Sequence, residues 1–358
     1  MIKNNKKILL ATGGTGGHIF PALSLKKSLD EKGFKTLVTA DAKFAKYHSF
    51  DQNHILIPSA NFANKSPLKI LASFLTLSLG FLKAILVMIR YNPDVVIGFG
   101  GYASYSMMLA AIIFRKKIIL HEANTVIGKV NRMLLKRAEY LTTGFKKMHN
   151  INPEYKDKIV YTGNPIRQEI LLSAVKNKEK IKGLSILIIG GSQGAKIFSK
   201  IIPDVIVNLP KEIKNKLHVI HQVKEEDVEL IKSKYARENI SYEIRSFFNN
   251  MNEKLSQVNL VIARAGASTI SELIAFEIPG IFIPYPSAAD NHQYYNAKEI
   301  EEINAGWIVN ESAASATEIL QIIKAIDKRP LILENATKAL KKLKKDAASN
   351  IISLIEKI

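Results

Sequence analysis

Apolar runs of four to seven residues recur along the chain and alternate with longer segments of helical periodicity. Each run is apolar at nearly every position, which indicates a strand buried on both faces. Strands of that kind belong to parallel sheets covered by helices on both sides. The predicted strands are KKILLAT, KTLVTA, DVVIGFG, KKIILHEA, EYLTTG and KIVYTG in residues 1–163, and LSILIIGG, KLHVIHQ, ISYEIRSF, NLVIARAG and GIFIPY after them. The predicted fold class is therefore α/β, with two doubly wound domains.

The boundary between the two domains is predicted near TGNPIRQEI, residues 162–170. Gly163 and Pro165 end the last strand of the first half, and the polar segment KNKEKIKG leads into the second. Two domains also suit a chain of 358 residues, because a single hydrophobic core seldom grows that large.

Each half opens with a strand, a glycine loop and a helix, in ATGGTGGHIF (11–20) and in LIIGGSQGAKIF (187–198). Backbone N–H groups at such a helix N-terminus can bind a diphosphate. Neither loop fits the dinucleotide pattern, because Ile19 and Gln193 break it, and no nucleoside triphosphatase loop occurs. Since parallel sheets bind ligands at the carboxyl ends of their strands, we expect the two loops to face a shared cleft.

Charge is distributed unevenly along the chain. Residues 1–163 carry 24 Lys and Arg against 9 Asp and Glu, whereas the remainder carries 27 against 23. Biased composition would spread the excess evenly, so the first half is expected to face an anionic partner. No recognition helix or RNA-binding signature favours nucleic acid, which leaves a membrane surface. The chain has no cysteine and its first apolar run is short for a signal peptide, so a cytoplasmic protein is expected.

One segment, ILASFLTLSLGFLKAILVMI (70–89), is 20 residues long and holds a single charge, Lys83. Its length and composition suit a transmembrane helix, but a charge near the middle disfavours spanning. The alternatives are a buried helix and a helix that docks in the membrane interface, where basic neighbours would bind anionic lipid. Those neighbours are Lys65, Lys69, Lys83, Arg90, Arg115, Lys116 and Lys117.

The densest group of candidate binding residues lies in residues 263–297. Ser268 or Thr269 is expected to cap a helix with Glu272 in its first turn, where the carboxylate either completes an ordinary capping box or accepts ribose hydroxyls. Asp290 to Gln293 offer polar groups suited to sugar hydroxyls. No D-x-D or other metal-ligand spacing occurs, so the helix N-terminus at 192–195, with Arg167 or Arg264, is expected to stabilise a departing diphosphate.

Seven motifs, in their order and spacing, resemble the MurG family of glycosyltransferases. Their combination over about residues 8–300 is far more specific than any one motif. The motifs are GGTGGH (13–18), GYAS (101–104), HEAN (121–124), GNPIR (163–167), GGSQGA (190–195), RAGASTISE (264–272) and DNHQ (290–293). Three details depart from the family pattern: GYASYSM lacks Ser-Gly-Pro after the tyrosine, Ala123 replaces a common glutamine, and HQVKEED lacks Ser/Thr-Gly after HQ.

Members of that family transfer N-acetylglucosamine from its UDP donor to undecaprenyl-diphosphate-muramyl-pentapeptide, which makes lipid II for peptidoglycan. The resemblance implies a GT-B fold, in which two Rossmann-like domains face each other across a cleft. Residues 1–163 would bind acceptor and membrane, residues 164–340 the UDP-sugar, and residues 341–358 would form a helix packing back toward the first domain. It also implies no cofactor, a peripheral position on the cytoplasmic face of the bacterial plasma membrane, a role in cell shape and division, and other cell-wall synthesis proteins as candidate partners.

The resemblance further assigns roles to individual residues. Thr15, Gly16, Gly17 and His18 would border the donor sugar and the acceptor diphosphate, and Asn124 would reach the N-acetylglucosamine. Arg167 and Ser192 would contact UDP, and the Phe248 backbone would hold uracil. Gln293, with His292 beside it, would read the sugar. The diphosphate and ribose would be cradled by Ala267, Ser268, Thr269, Ile270, Ser271 and Glu272.

The implied reaction is a single inverting displacement by the muramyl 4-hydroxyl. Such a displacement needs a base, and we expect His18 to serve, because a helix N-terminus disfavours the imidazolium. Glu122 is the competing base. The alternatives are a related transferase acting on another lipid, a UDP-sugar epimerase on the same twin-domain frame, and a non-enzymatic nucleotide-binding membrane adaptor.

Overall fold

The structure is a computed structural model that describes residues 5–44, 53–60, 67–176, 183–190 and 196–358. The chain divides into two compact units. The first contains the chain up to Arg167 and again from Lys345 to Ile358, and the second contains Gln168–Lys344. Each unit is built on an all-parallel sheet, which confirms the predicted α/β class with two doubly wound domains.

In the first unit the described residues form a seven-stranded parallel sheet in the order β3-β2-β1-β4-β5-β6-β7. Its strands are β1 (Lys7–Ala11), β2 (Lys35–Ala40), β3 (His54–Leu56), β4 (Val95–Gly98), β5 (Lys117–Glu122), β6 (Tyr140–Thr143) and β7 (Ile159–Tyr161). The helices before the domain boundary are α1 (Gly16–Glu31), α2 (Pro67–Tyr91), α3 (Tyr102–Ile113) and α4 (Lys129–Leu134).

Strand β1 shows why the apolar runs are continuous. Leu9 and Ala11 pack into the core cluster that contains buried residues of α2 and α3. Ile8 and Leu10 point to the opposite face and pack with buried residues of α1. Helices therefore cover both faces of the sheet, and every position of a central strand loses contact with water.

The second unit repeats this plan with six strands among the described residues, in the order β10-β9-β8-β11-β12-β13. The strands are β8 (Leu184–Ile189), β9 (Leu217–Gln222), β10 (Ser241–Arg245), β11 (Leu260–Ala263), β12 (Gly280–Phe282) and β13 (Gly306–Ile308). The helices are α5 (Gln168–Lys176), α6 (Lys196–Val207), α7 (Lys211–Lys214), α8 (Val228–Arg237), α9 (Met251–Ser256), α10 (Ala267–Phe276), α11 (His292–Glu301), α12 (Ser315–Lys328) and α13 (Leu331–Lys341).

The last helix, α14 (Ala347–Lys357), belongs to the first unit. Its buried Ile351 and Ile355 join the core cluster of α1 and β1. The side-chain amide of Asn350 also donates to the carbonyl of Thr162, at 3.3 Å. The final segment is thus part of the core beneath α1.

The sequence pattern does not predict two of the strands, β3 and β13. Both have three residues and lie at an edge of their sheet, where most positions stay partly exposed. Edge strands lack the fully apolar run that identifies a central one.

The strand order places a topological switch point in each unit. In the first unit it lies between β1 and β4, and in the second between β8 and β11. The loops that follow these strands therefore emerge side by side at the carboxyl edge of each sheet, where open α/β sheets bind ligands.

Candidate functional site

The first glycine loop connects β1 to α1. Thr15 is the N-cap of the helix and has an extended backbone, so Gly16 and Gly17 provide N–H groups of the first turn. Gly13 has a φ of 139°, and a Cβ there would lie 2.5 Å from the Ala103 Cβ. Only glycine fits at that position, and the loop closes tightly on α3.

Asp41 at the end of β2 also contacts this loop. Its Oδ1 accepts a hydrogen bond from the Gly14 amide at 3.2 Å, so this amide is already used. The first-turn amides of Gly16 and Gly17 are the better anion donors. Sequence reasoning missed Asp41, although a polar residue directly after a buried strand was the available signal.

His18 lies on the first turn of α1, half-buried against the loop that follows β4. A Cβ on Gly101 would lie 3.4 Å from the His18 Nδ1, and Gly101 has a φ of 74°. The loop that follows β4 thus passes directly over the imidazole. The switch point of the first unit brings together His18 and Gly101, which are 83 residues apart in the sequence.

The end of β5 carries the HEAN motif. His121 is buried and lies 3.0 Å from the Thr142 Oγ1 and 3.0 Å from the Asn164 Oδ1. Burial, together with the nearby charge of His18, lowers the pKa of His121 to about 4 against the opposing effect of the Asn164 hydrogen bond. His121 is therefore a neutral structural group. Glu122 is also buried, while Asn124 is half-buried at the start of the following loop.

Arg167 closes the first unit. Its guanidinium lies 5.0 Å from the centre of the Phe20 ring on α1. This contact holds the arginine beside the helix that carries His18. Ser192, the other expected contact to UDP, lies outside the described residues.

In the second unit, α10 begins directly after β11. It starts at Ala267 with Gly266 as N-cap, and no side chain caps it. The expectation that Ser268 or Thr269 caps this helix is therefore wrong, and Glu272 lies in the second turn rather than the first. Gly266 adopts the extended cap conformation, so the helix starts early and Ala267, Ser268 and Thr269 present the first-turn N–H groups.

Later residues of α10 separate into buried and accessible positions. Ile270 is buried, and the Ser271 hydroxyl donates to the Ala267 carbonyl inside the helix. Glu272 stays half-buried, one turn beyond the helix start. This is the position from which a carboxylate can accept hydrogen bonds from a ribose held beside the first turn.

The turn after β10 carries Phe248, whose side chain is buried. The Lys254 ammonium lies 5.9 Å from the centre of its ring and pairs with the Glu243 carboxylate at 2.7 Å. Burial opposes ionisation of Glu243, but the hydrogen bond and the charge of Lys254 outweigh this effect and lower the pKa of Glu243. Lys254, which sequence reasoning missed, braces this turn.

The segment after β12 presents the DNHQ motif. Asp290 and Asn291 both adopt left-handed conformations, with φ of 51° and 53°. The Gln293 Oε1 accepts the Tyr285 amide at 2.9 Å, and the His292 Nδ1 lies 2.8 Å from the Ala289 carbonyl. The side-chain oxygen of Gln293 therefore holds the loop, and the side-chain Nε2 is the atom that can bind a ligand.

Helix α2 exposes one apolar face along its length. Its other face packs into the core through Ala84, Val87 and Met88, and a Cβ on Gly80 would lie 2.1 Å from the Pro58 carbonyl oxygen. By length and composition Ile70–Tyr91 could cross a membrane, but that packed face keeps it in the unit. The exposed face carries Ile70, Leu71, Phe74, Leu75, Leu79, Leu82, Leu86 and Ile89, each between 44% and 61% exposed.

Among the residues that the structure describes, no group of three or more His, Cys, Asp or Glu side chains has a metal-binding arrangement.

The chain is similar to known glycosyltransferases over nearly its whole length. Residues 8–142 match the glycosyltransferase family 28 N-terminal domain, and residues 185–351 match its C-terminal domain. A Rickettsia canadensis protein is 40% identical over 358 residues, and a Rickettsia felis protein is 39% identical over 361, each covering 99% of both chains. Both are named UDP-N-acetylglucosamine–N-acetylmuramyl-(pentapeptide) pyrophosphoryl-undecaprenol N-acetylglucosamine transferase.

Two solved structures are similar to this chain over nearly its whole length. Acinetobacter baumannii MurG has a TM-score of 0.80 and 28% identity, covering 99% of this chain and 100% of that one. A UDP-GlcNAc 2-epimerase from Neisseria meningitidis has a TM-score of 0.67 at 12% identity, covering 98% of this chain and all of its own. At that identity the likeness shows the fold alone.

Proposed function

This chain belongs to glycosyltransferase family 28 and, within it, to the MurG family, and we propose that it transfers N-acetylglucosamine from UDP-N-acetylglucosamine to lipid-linked muramyl-pentapeptide. The product is lipid II, the precursor of peptidoglycan. The observation that carries the proposal is identity of about 40% over 99% of both chains with transferases of that name. The epimerase alternative is supported by the fold alone.

The second unit is proposed to hold the donor. The first-turn amides of Ala267, Ser268 and Thr269 suit a diphosphate, because a helix N-terminus offers both unpaired N–H groups and a favourable dipole. Glu272 lies one turn further and would accept the ribose hydroxyls. The Phe248 backbone would hold uracil, while the Gln293 side-chain N–H groups would read the sugar. Asn124 is proposed as a further contact to the N-acetylglucosamine.

The first unit is proposed to hold the acceptor and the base. Gly16 and Gly17 would bring amides close to the acceptor diphosphate, with Thr15 at the helix cap. His18 would take the proton of the muramyl 4-hydroxyl as that oxygen bonds to the anomeric carbon. The bond from this carbon to the UDP oxygen breaks, and UDP leaves with the electron pair from the opposite face, which gives a β-linkage. Arg167 and the helix N-termini would stabilise the departing charge.

We also propose that the protein binds the cytoplasmic surface of the plasma membrane through the exposed face of α2. A continuous exposed apolar patch on a folded unit favours an interaction with lipid or protein. Lys83 and Arg90 are exposed on α2 itself, and residues 1–163 carry most of the net positive charge. Apolar insertion and attraction to anionic lipid would act together.

The membrane proposal is tested by sedimentation with vesicles of phosphatidylglycerol or of phosphatidylcholine alone. Leu79→Glu should reduce binding to the anionic vesicles at least tenfold. Leu230→Glu is the matched control, because Leu230 is 70% exposed but lies on α8 of the other unit. Equal losses in the two variants would contradict the proposal.

The enzymatic proposal is tested by turnover with UDP-N-acetylglucosamine and a soluble lipid I analogue, with and without chelator. We expect transfer with β stereochemistry and full activity in chelator. Transfer to a different lipid, conversion of the free UDP-sugar to its epimer, or UDP binding without turnover would each support one of the alternatives instead.

A further inference from the structure

The carboxylate of Glu122 is enclosed by its own loop. Its Oε1 accepts hydrogen bonds from the Asn124 backbone amide at 3.2 Å and from the Asn124 side-chain Nδ2 at 3.4 Å. Its Oε2 accepts the Gly128 amide at 2.9 Å and the Asn131 Nδ2 at 2.9 Å. The residue is only 4% exposed. Four donors thus converge on one buried side chain.

Four donors match the four lone-pair positions of an ionised carboxylate. All four come from the segment between residues 124 and 131, so the loop is folded around the carboxylate. A base must present an accessible lone pair to the proton that it removes. Glu122 has none to spare without breaking a bond that holds its loop.

The backbone on either side is fixed independently. The Asn131 Nδ2 also contacts the His121 carbonyl at 3.1 Å, and the Asn164 Nδ2 donates to the Ala123 carbonyl at 3.0 Å. Asn124 is therefore the residue whose placement Glu122 controls most directly, since both its backbone and its side chain bind one carboxylate oxygen.

We infer that Glu122 is a positioning residue that orients Asn124 toward the donor sugar, and that it does not take the proton of the attacking hydroxyl. This inference rests on the proposed function of the site. It assigns the two candidate bases different tasks: His18 handles the proton, and Glu122 sets the loop that reads the N-acetylglucosamine.

The test compares Glu122→Gln, Asn124→Ala and the double variant by steady-state kinetics. A glutamine keeps one acceptor oxygen and replaces the other with a donor, so part of the loop is released. We expect each single variant to raise KM for UDP-N-acetylglucosamine about tenfold or more. The double variant should be no worse than Asn124→Ala within about twofold, because Glu122 acts through Asn124.

The pH profile of kcat separates positioning from proton transfer. Glu122→Gln should retain the wild-type rise of kcat with pH, since the base remains in place. A loss of kcat of a thousandfold at unchanged KM, with that rise abolished and with effects additive to Asn124→Ala, would overturn the inference. If the wild-type chain transfers no sugar at all, the proposed function itself fails, and this outcome is separate.

Asn131→Ala provides a second route if Glu122→Gln does not fold. Asn131 is 1% exposed, so any effect on the donor must pass through the network. We expect the same rise in KM with the same pH profile. Asn152→Ala is the matched control, because Asn152 is exposed on the same unit and only caps a short turn. A normal KM in Asn131→Ala would count against the inference.

Discussion

The guanidinium of Arg264 pairs with the carboxylate of Glu311 at 2.7 Å, at the carboxyl edge of the second sheet. The same guanidinium donates to the carbonyls of Ile283 and Pro284, at 3.0 and 3.1 Å. It also lies over the Tyr285 ring, 5.3 Å from its centre. Arg264 thus ties together the segments that follow β11, β12 and β13. Its polar atoms serve this structural role, and Arg167 remains the better candidate to meet the diphosphate.

Arg264→Lys should lower the free energy of unfolding of the second unit by about 2 kcal/mol, because an ammonium cannot reproduce the planar fork. The chain's single tryptophan, Trp307, lies in this unit, so its fluorescence in a urea titration reports the change. Lys232→Ala removes an exposed pair with Glu229 and should cost less than about 0.5 kcal/mol. An equal loss of unfolding free energy in the two variants would show that Arg264 does not hold these segments together.

Buried histidines should make the protein less stable in mild acid. Burial lowers the pKa of His221 to about 3 and of His121 to about 4, whereas both titrate near 6.5 when unfolded. The unfolded chain therefore binds more protons as the pH falls below 6.5, and stability is lost from there down to about pH 3–4. At pH 5 each histidine costs about 2 kcal/mol relative to its contribution at neutral pH.

Urea titrations of the wild type and His221→Phe at pH 7 and pH 5 check this dependence. The Trp307 signal isolates the second unit, where His221 lies against Tyr235. In His221→Phe, the free energy of unfolding of the second unit should differ much less between pH 7 and pH 5 than it does in the wild type. An unchanged difference would mean that other groups produce it.

Gly144→Ala should destabilise the first unit by about 2 kcal/mol or more. A Cβ at Gly144 would lie 2.2–2.4 Å from the amide atoms of Asn164, which is buried and bound to His121. Either the amide moves and abandons its partners or the backbone shifts. Gly17→Ala is the comparison, since its Cβ would meet nothing closer than 3.6 Å. Thermal unfolding followed by circular dichroism should separate the two variants clearly.

Glu277 ends α10 in a left-handed conformation with a φ of 61°, and its carboxylate pairs with Lys344 at 2.6 Å. A non-glycine residue in that conformation costs about 1 kcal/mol. In a Lys344→Ala background, where the ion pair is already lost, Glu277→Gly should therefore stabilise the protein by about that amount. Destabilisation in this background, measured by urea titration, would show that the Glu277 side chain has another stabilising contact.

His18→Ala should lower kcat by about a hundredfold to ten-thousandfold if His18 is the base. The rise of kcat with pH that belongs to the histidine should disappear as well. The affinity for UDP, measured by calorimetry, should stay unchanged, because the proposed contacts to uracil, ribose and diphosphate at Phe248, Glu272 and the start of α10 lie in the second unit and Arg167 is not altered. Near-normal turnover at saturating substrates would end the candidacy of His18.

The sequence predicts the central strands because each is buried on both faces, and burial leaves a continuous apolar run. The strand, glycine loop and helix that open each half predict two domains, and the resemblance of seven motifs identifies the family. The sequence misses β3 and β13, whose edge positions leave partly exposed residues. It also misplaces the start of α10, because the extended conformation of Gly266 competes successfully with capping by Ser268 or Thr269.

What the sequence alone determined is local: the alternation of strands and helices, the glycine turns and the residue types that suit a nucleotide sugar. The tertiary structure decided which of these groups are committed to structure. Arg264 and Glu122 are both candidate chemical groups in the sequence, yet the polar atoms of both are bonded within the fold. The partners of Arg264 come from segments that follow separate strands, and those of Glu122 come from the loop that folds back around it, so only the folded chain shows that these atoms are used.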